Sequence, residues 1–204
     1  MAPFGGWEMP LEFTSTLAEH DACRNGAAVF DVSHLGTVRL EGADGVAAVG
    51  RSLTNDLSRI GPGRAQYTHL LDEDGSVADD IIVWWRPDGV IDVMPNASNT
   101  DRVRSVIGGV DVTQERAVLA VQGPQSRRLL AEVSTAAAAV GRFRVDVVTI
   151  GGARCIVAGT GYTGEDGVEI AVPADHAEEL WNATAVILRV AVGDVETVSW
   201  CRTG

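Results

Sequence analysis

Basic residues are scarce in this chain. It carries 16 Lys+Arg against 28 Asp+Glu, a formal net charge of −12 at pH 7. A protein held on nucleic acid by phosphate contacts needs the opposite, Lys and Arg clustered on one face. Cysteine is scarce as well: Cys23, Cys155 and Cys201 are odd in number and far apart, which excludes a disulfide framework and a CxxC metal knuckle. They read as reduced, intracellular thiols, and the chain as cytoplasmic. The four histidines, His20, His34, His69 and His176, show no HExxH or comparable zinc spacing, so no metal centre is expected. No apolar run approaches the roughly 18 residues of a membrane span. The N-terminus MAPFGGWEMPLEF lacks the basic head and apolar core of a signal peptide. No Gly/Ser- or Pro-rich tether divides the chain, so any two domains are packed together or interleaved. What is present is an ordinary globular composition, 46% apolar over 204 residues, enough for one large or two small cores.

Helix and strand signals alternate. Residues 14–26 read as a helix, with Thr16 and Glu19 as a capping box and Gly26 as its closing residue. AAVFDV and TVRLE read as short strands, Asp44 as a cap for the helix GVAAVG, and residues 60–63 as a turn. Residues 65–85 read as a hairpin turning at Asp74-Gly75. The strand VIDVM and a helix through DRVRSVI follow, the helix capped by Asn99 or Thr100. The second half holds the strand RAVLAV, a helix through SRRLLAEV with Pro124 at its first turn, and a hairpin of VDVVTI and RCIVAG around Gly151-Gly152. Then come the strand VEIAV and the longest helix, HAEELWNATAVILRV, with Leu180, Trp181, Thr184, Ile187 and Leu188 along one side. Residues 134–140 are either helix or surface linker. The expected class is α+β, with antiparallel sheets flanked by helices.

Chemistry concentrates in few places. In LLDEDGSVADD a calcium loop starting at Asp72 would need Gly and Glu where Val77 and Val83 stand. Asp79-Asp80 directly precedes the strand IIVWW; neighbouring strand residues face opposite ways, so one carboxylate faces the buried or cleft side. There it must be paired, protonated or functional. The blander alternative is a strand-entry pair with both acids solvated. Gly159, Gly161 and Gly164 have dinucleotide-loop spacing, but a strand follows where that site needs a helix N-terminus. These glycines instead suit a close-approach loop presenting Tyr162 and Glu169. Asp31, Ser33 and His34 form no nucleophile elbow. Asn96-Ala97-Ser98 and Asn182-Ala183-Thr184 match the glycosylation pattern and read as idle without a secretory signal.

Seven collinear segments together resemble the folate-dependent aminomethyltransferase family of the glycine cleavage system, the T-proteins. They are FGGWEMPLEF (4–13), VFDVSHLG (29–36), LTNDL (53–57), GSVADDIIV (75–83), PNASN (95–99), AVQGPQ (120–125) and GYTGEDGVE (161–169). The resemblance implies transfer of a one-carbon unit from the aminomethyl-lipoyl arm of the H-protein to tetrahydrofolate, with release of ammonia. It implies Asp80 as the catalytic carboxylate and Glu169 as the acid that pairs with the pterin's amino-pyrimidine edge. Asn96, Tyr162 and Tyr67 match further pterin-pocket positions, and Leu35 an apolar wall usually occupied by Met. The implied fold has a first folate-binding lobe made of residues 1–40 and 111–204, interrupted by a ferredoxin-like lobe at 41–110. The family's C-terminal β-domain, and the Gly-Leu-Gly-Ala-Arg-Asp motif before it, have no counterpart; the chain reads VGDVETVSWCRTG there. The lead-in before Phe4 is short, and Gly159 stands where members usually have Arg. These departures suggest a truncated chain. The H-protein is itself acidic, so Arg142, Arg144 and Arg154 are the candidates for a docking patch. The alternative is a folate-binding relative of the iron–sulfur maintenance or demethylating type, or an inactive fragment.

Overall fold

Alternating apolar residues build two five-stranded antiparallel sheets that share one inner seam. The structure, a computed structural model, describes residues 1–13 and 15–188, the side chains of residues 187 and 188 excepted. In chain order the elements are β1 (Ala2–Phe4), β2 (Trp7–Met9), α1 (Thr16–Asn25), β3 (Ala28–Asp31), β4 (Val38–Leu40) and α2 (Gly42–Ser52). Then follow β5 (Arg64–Leu71), β6 (Val77–Trp85), β7 (Ile91–Met94), α3 (Thr100–Ile107), β8 (Val110–Asp111) and β9 (Arg116–Gln122). The remainder is α4 (Ser126–Leu130), α5 (Thr135–Ala138), β10 (Val145–Ile150), β11 (Ala153–Ala158), β12 (Gly167–Pro173) and α6 (Ala177–Leu188).

One sheet has the order β10-β11-β12-β9-β3 and the other β5-β6-β7-β4-β8. The second is continuous in sequence, from β4 to β8. The first is assembled from both sides of it, since β3 pairs antiparallel with β9. The period of two along each strand sends alternate residues to opposite faces. On β9, Ala117, Leu119 and Val121 enter a core with Leu130, Ala137, Leu180 and Trp181 from the helices, while Val118 faces the other way. On β6, Ile81 and Val83 pack with Val49, Val103 and Ile107, while Trp84 turns outward. The two outward faces meet: Ala65, Trp84 and Met94 pack against Val118, Val145, Ile156 and Ala158. Burying each large apolar side chain there contributes about 1.5–3 kcal/mol. This seam sets how the two sheets face each other, and Asp80 and Glu169 lie on its side of β6 and β12.

Several local expectations change. Ser15, not Thr16, caps α1: its hydroxyl accepts from Ala18 N, because the helix starts one residue earlier than a Thr16 cap requires. Glu19 reaches back to accept from Phe13 N instead. Asp44 is no cap, since α2 already begins at Gly42 and Asp44 lies inside its first turn. Pro124 precedes α4 rather than opening it. Asn99 stands at the N-cap of α3, but its side chain is spent elsewhere. Residues 135–138 are a short helix capped by the Ser134 hydroxyl. Leu180, Trp181 and Thr184 are buried as the pattern requires. Thr14, Cys201, the side chains of Ile187 and Leu188, the helix beyond Leu188 and the VGDVETVSWCRTG tail lie outside the described residues. Among the described residues no helix is long and apolar enough to cross a membrane.

Candidate functional site

The double aspartate divides as strand parity demands. Asp79 shares the face of Ile81 and Val83 and is 4% exposed. Asp80 faces the seam. Asn96 binds them both: its backbone N–H donates to Asp79 Oδ2 at 3.1 Å, and its side-chain amide reaches Asp79 Oδ1 at 2.9 Å and Asp80 Oδ1 at 3.0 Å. Asn99 Nδ2 adds a further donor to Asp79 Oδ1 at 2.8 Å. A buried carboxylate without a cation is tolerable when several dipoles donate to it. Asp79 thereby anchors the 95–99 loop under Asp80. From the other side Tyr67 donates its hydroxyl to Asp80 Oδ2 at 3.2 Å. His69, directly opposite Asp80 in the β5–β6 register, packs its ring edge against Tyr67 at 5.0 Å.

Other motif segments converge on that loop. Gly36 N–H donates to Pro95 O at 3.0 Å, and a Cβ on Gly36 would stand 2.2 Å from Thr100 Oγ1. The β1–β2 turn presses Gly5 against Ala97, and Phe4 meets the His34 ring at 5.6 Å. Burial draws the His34 pKa down. Leu35 is buried in this connection, with its carbonyl accepting from Arg116.

The opposing wall comes from β12 and the glycine-rich loop. Glu169 is 1% exposed. Thr160 donates its hydroxyl to Glu169 Oε2 at 2.5 Å, while Oε1 has no partner among the described residues. Burial drives the Glu169 pKa upward, against the Thr160 bond and the more distant Arg116. Gln122 ties the loop down, donating to Thr160 O at 3.1 Å and accepting from Thr163 Oγ1 at 2.9 Å. The glycines here serve close approach: a Cβ on Gly159 would lie 2.0 Å from Gly141 O, and one on Gly161 2.1 Å from Gln122 Oε1. No side chain fits at position 159 without moving Gly141.

Tyr162 spans the two walls electrostatically. It keeps 55% of its surface open, yet surrounding protein desolvates its phenol and raises the pKa far above the ordinary value. Glu169, Asp80, Asp79 and Tyr67, in that order, push it further. Asn96 and Tyr67 are bonded to Asp80, the charges of Glu169, Asp80 and Asp79 act on Tyr162, and Leu35 precedes Gly36, which is bonded to the 95–99 loop. Sequence reasoning missed Asn99, Thr160 and Gln122; Thr160 lay in view between two glycines of the presenting loop. Of the arginines named for a docking patch, Arg154 pairs with Asp88 at 3.0 Å, and Arg142 lies over the Phe143 ring at 5.6 Å.

Two five-stranded antiparallel sheets with flanking helices make this an α+β domain, with buried Glu169 on one sheet and Asp80 on the other. The GCVT N-terminal domain family matches residues 1–187, and the chain belongs to it. It is 40% identical over 195 residues to a probable aminomethyltransferase of Natronomonas pharaonis, covering 90% of this chain and 54% of that protein. An aminomethyltransferase of Geobacillus kaustophilus is 37% identical over 211 residues, covering 98% of this chain and 57% of its own. Among solved structures, the glycine cleavage system aminomethyltransferase T from Bartonella henselae superposes with a TM-score of 0.81 at 28% identity, covering 90% of this chain and 52% of that one. The chain spans about half the length of the relatives it matches.

Proposed function

We propose that this chain forms the folate-binding, one-carbon-accepting half of an aminomethyltransferase that takes its substrate from the lipoyl arm of an H-protein. The observation that carries the reading is Glu169: a carboxylate 1% exposed, with one oxygen held by Thr160 and the other without a partner. Leaving a buried acceptor unmatched costs roughly 1–3 kcal/mol, and a ligand presenting adjacent N–H donors would remove that cost. The amino-pyrimidine edge of a reduced folate has that donor pair, so the residues present fit the group. Tetrahydrofolate supplies the amines that accept the one-carbon unit.

Each neighbour then has a task. Glu169 binds and orients the pterin edge, and Tyr162 covers it from the open side. Asp80 stands across the cleft as a fixed anion that orients the accepting amine and stabilises positive charge developing as ammonia leaves. Asn96 and Tyr67 hold the Asp80 carboxylate from two directions, which fixes its orientation before substrate arrives. Asp79 acts through Asn96 and Asn99 as a positioning residue.

The reading includes an architecture. Residues 38–111 run β4-α2-β5-β6-β7-α3-β8 with β6-β7-β4-β8 adjacent, which is a ferredoxin-like βαββαβ order with β5 added at the edge. The lobe it interrupts carries Glu169.

The test is a tetrahydrofolate titration followed by tryptophan emission. Saturable binding is expected for the parent and for Asp80→Asn, and its loss for Glu169→Ala. Equal binding by Glu169→Ala overturns the pocket.

A further inference from the structure

The seam has a second end. Strand alternation places it: the seam-facing residues of β6 run Asp80, Ile82, Trp84, and Arg86 follows the strand end, while those of β12 run Glu169, Ala171, Pro173. Around Arg86 and Pro173 the sheets part to leave a cavity of about 320 Å³, the small end of the roughly 300–1,000 Å³ range of ligand pockets. Arg39, Arg86, Arg116 and Arg154 line it, with Asp92 and Glu115. All 16 basic residues of the chain are arginines, and four of them meet here in a protein of strongly negative charge.

Three of these arginines belong to an alternating ion-pair chain. Arg39 meets Asp92 at 2.8 Å, Arg86 meets Asp92 at 3.6 Å and Asp88 at 2.6 Å, and Arg154 meets Asp88 at 3.0 Å. Arg116 stands apart. It is 7% exposed, and among the described residues its guanidinium donates to neutral oxygens, Ser33 O at 3.1 Å, Leu35 O at 2.6 Å and Thr37 Oγ1 at 2.8 Å, while the charges of Asp92, Asp111 and Asp31 act on it from farther off. Burial lowers its pKa to about 10, which leaves it charged at neutral pH. A buried cation without a carboxylate in contact is unfavourable. Two further buried donors on residues that line the cavity, Trp84 Nε1 and Arg86 Nε, have no acceptor among the described residues.

We propose that this cavity is a binding site for a compact oxyanion, a phosphate or a small carboxylate, held by its arginine lining. Oxyanion oxygens serve as acceptors for the two donors that lack one, and guanidiniums match paired oxygens by shape. The blander reading, that the ion pairs only pin the two sheets together, accounts for Arg39, Arg86 and Arg154. It leaves both unmatched donors unexplained. The proposal concerns a ligand other than folate, although Arg116 donates to the Leu35 carbonyl and its charge reaches Glu169.

The test is equilibrium dialysis of the full chain against radiolabelled inorganic phosphate, with ionic strength held constant by sodium chloride. One phosphate per chain is expected to bind saturably. Arg154→Gln should weaken binding about tenfold, the loss of one charge-assisted hydrogen bond, and Arg116→Met should abolish it. Circular dichroism verifies that each variant is folded; if Arg116→Met fails to fold, the shift in Arg154→Gln decides. Competition by unlabelled succinate identifies a carboxylate ligand, and binding indifferent to succinate identifies phosphate chemistry. Uptake that does not saturate, or that is the same in Arg154→Gln as in the parent, overturns the proposal.

Discussion

Glu169→Leu should make the protein more stable while removing the ligand. The wild-type carboxylate is 1% exposed and has an unmatched Oε1, a defect of roughly 1–3 kcal/mol. Leucine has a similar volume and no polar atom, so the defect disappears. Against this stands the Thr160 hydrogen bond to Oε2, a loss of about 1 kcal/mol, half-relieved because a part-buried hydroxyl can turn to water. The expected net gain is about 1 kcal/mol, or about 2–4 °C in Tm at this chain length. Its pH dependence supplies the sharper check. The folded-state pKa of Glu169 is raised above its ordinary value of 4.5, so the folded protein holds this proton more tightly than the unfolded chain does. Wild-type stability from this group is therefore present below about pH 4.5 and is lost as pH rises through the folded pKa. The gap between variant and wild type should be smallest in acid and widen toward neutrality. Urea unfolding followed by circular dichroism across that range measures it. A variant less stable than wild type at neutral pH, or a gap flat with pH, would refute the idea that this carboxylate is held at an energetic cost for a ligand.

Other outcomes follow from the same geometry. Asp80→Asn should lower aminomethyl transfer by about 10²–10⁴-fold, the range for a positioned ionisable group, with folate affinity nearly unchanged; single-turnover rates with aminomethyl H-protein check it. Asn96→Ala should destabilise the fold by about 1–3 kcal/mol, since it strips a donor from buried Asp79 and one from Asp80; the urea midpoint reads this directly. Gly159→Ala should cost about 1–3 kcal/mol, because its Cβ meets Gly141 O at 2.0 Å. Gly50→Ala, inside α2 with open space around it, should instead stabilise by about 0.5–1 kcal/mol. The Cys155 thiol is fully buried, with its pKa pushed up to about 11, so peptide mapping should find it unlabelled by a thiol reagent until urea unfolds the chain.

Much of the fold was legible because its signals are local. Asp74-Gly75 and Gly151-Gly152 turn their hairpins where turn chemistry says they should. Parity along β6 is enough to send Asp79 and Asp80 to opposite faces. The pairing of β3 with β9 was not legible, because no local signal records which strands meet across an insertion. Cap positions missed by a residue, as Ser15 and Thr16 show, since either hydroxyl satisfies the same donor. Within the site, Asp80 and Glu169 were conspicuous as acids beside apolar runs, but the resemblance supplied their roles. Gln122 and Thr160 stayed hidden because a buried amide and a hydroxyl look ordinary until their partners are known. The Arg116 cavity was out of reach for the same reason: its four arginines come from four separate strands or strand ends.

The interrupted sheet also orders events during synthesis. All strands of the β4-to-β8 sheet lie within one continuous stretch, so that sheet is complete before β9 has been made. Asp79, Asp80, Asn96 and Asn99 can lock together then. The sheet bearing Glu169 must wait for β12, with its first strand, β3, held without its partner in the meantime. An early-formed inner sheet shortens that wait in a second way: it brings β3 and β9 close together, so their pairing closes a small gap instead of a long flexible loop. The two walls of the cleft are therefore born at different times, and the pocket comes into being only when the second closes on the first.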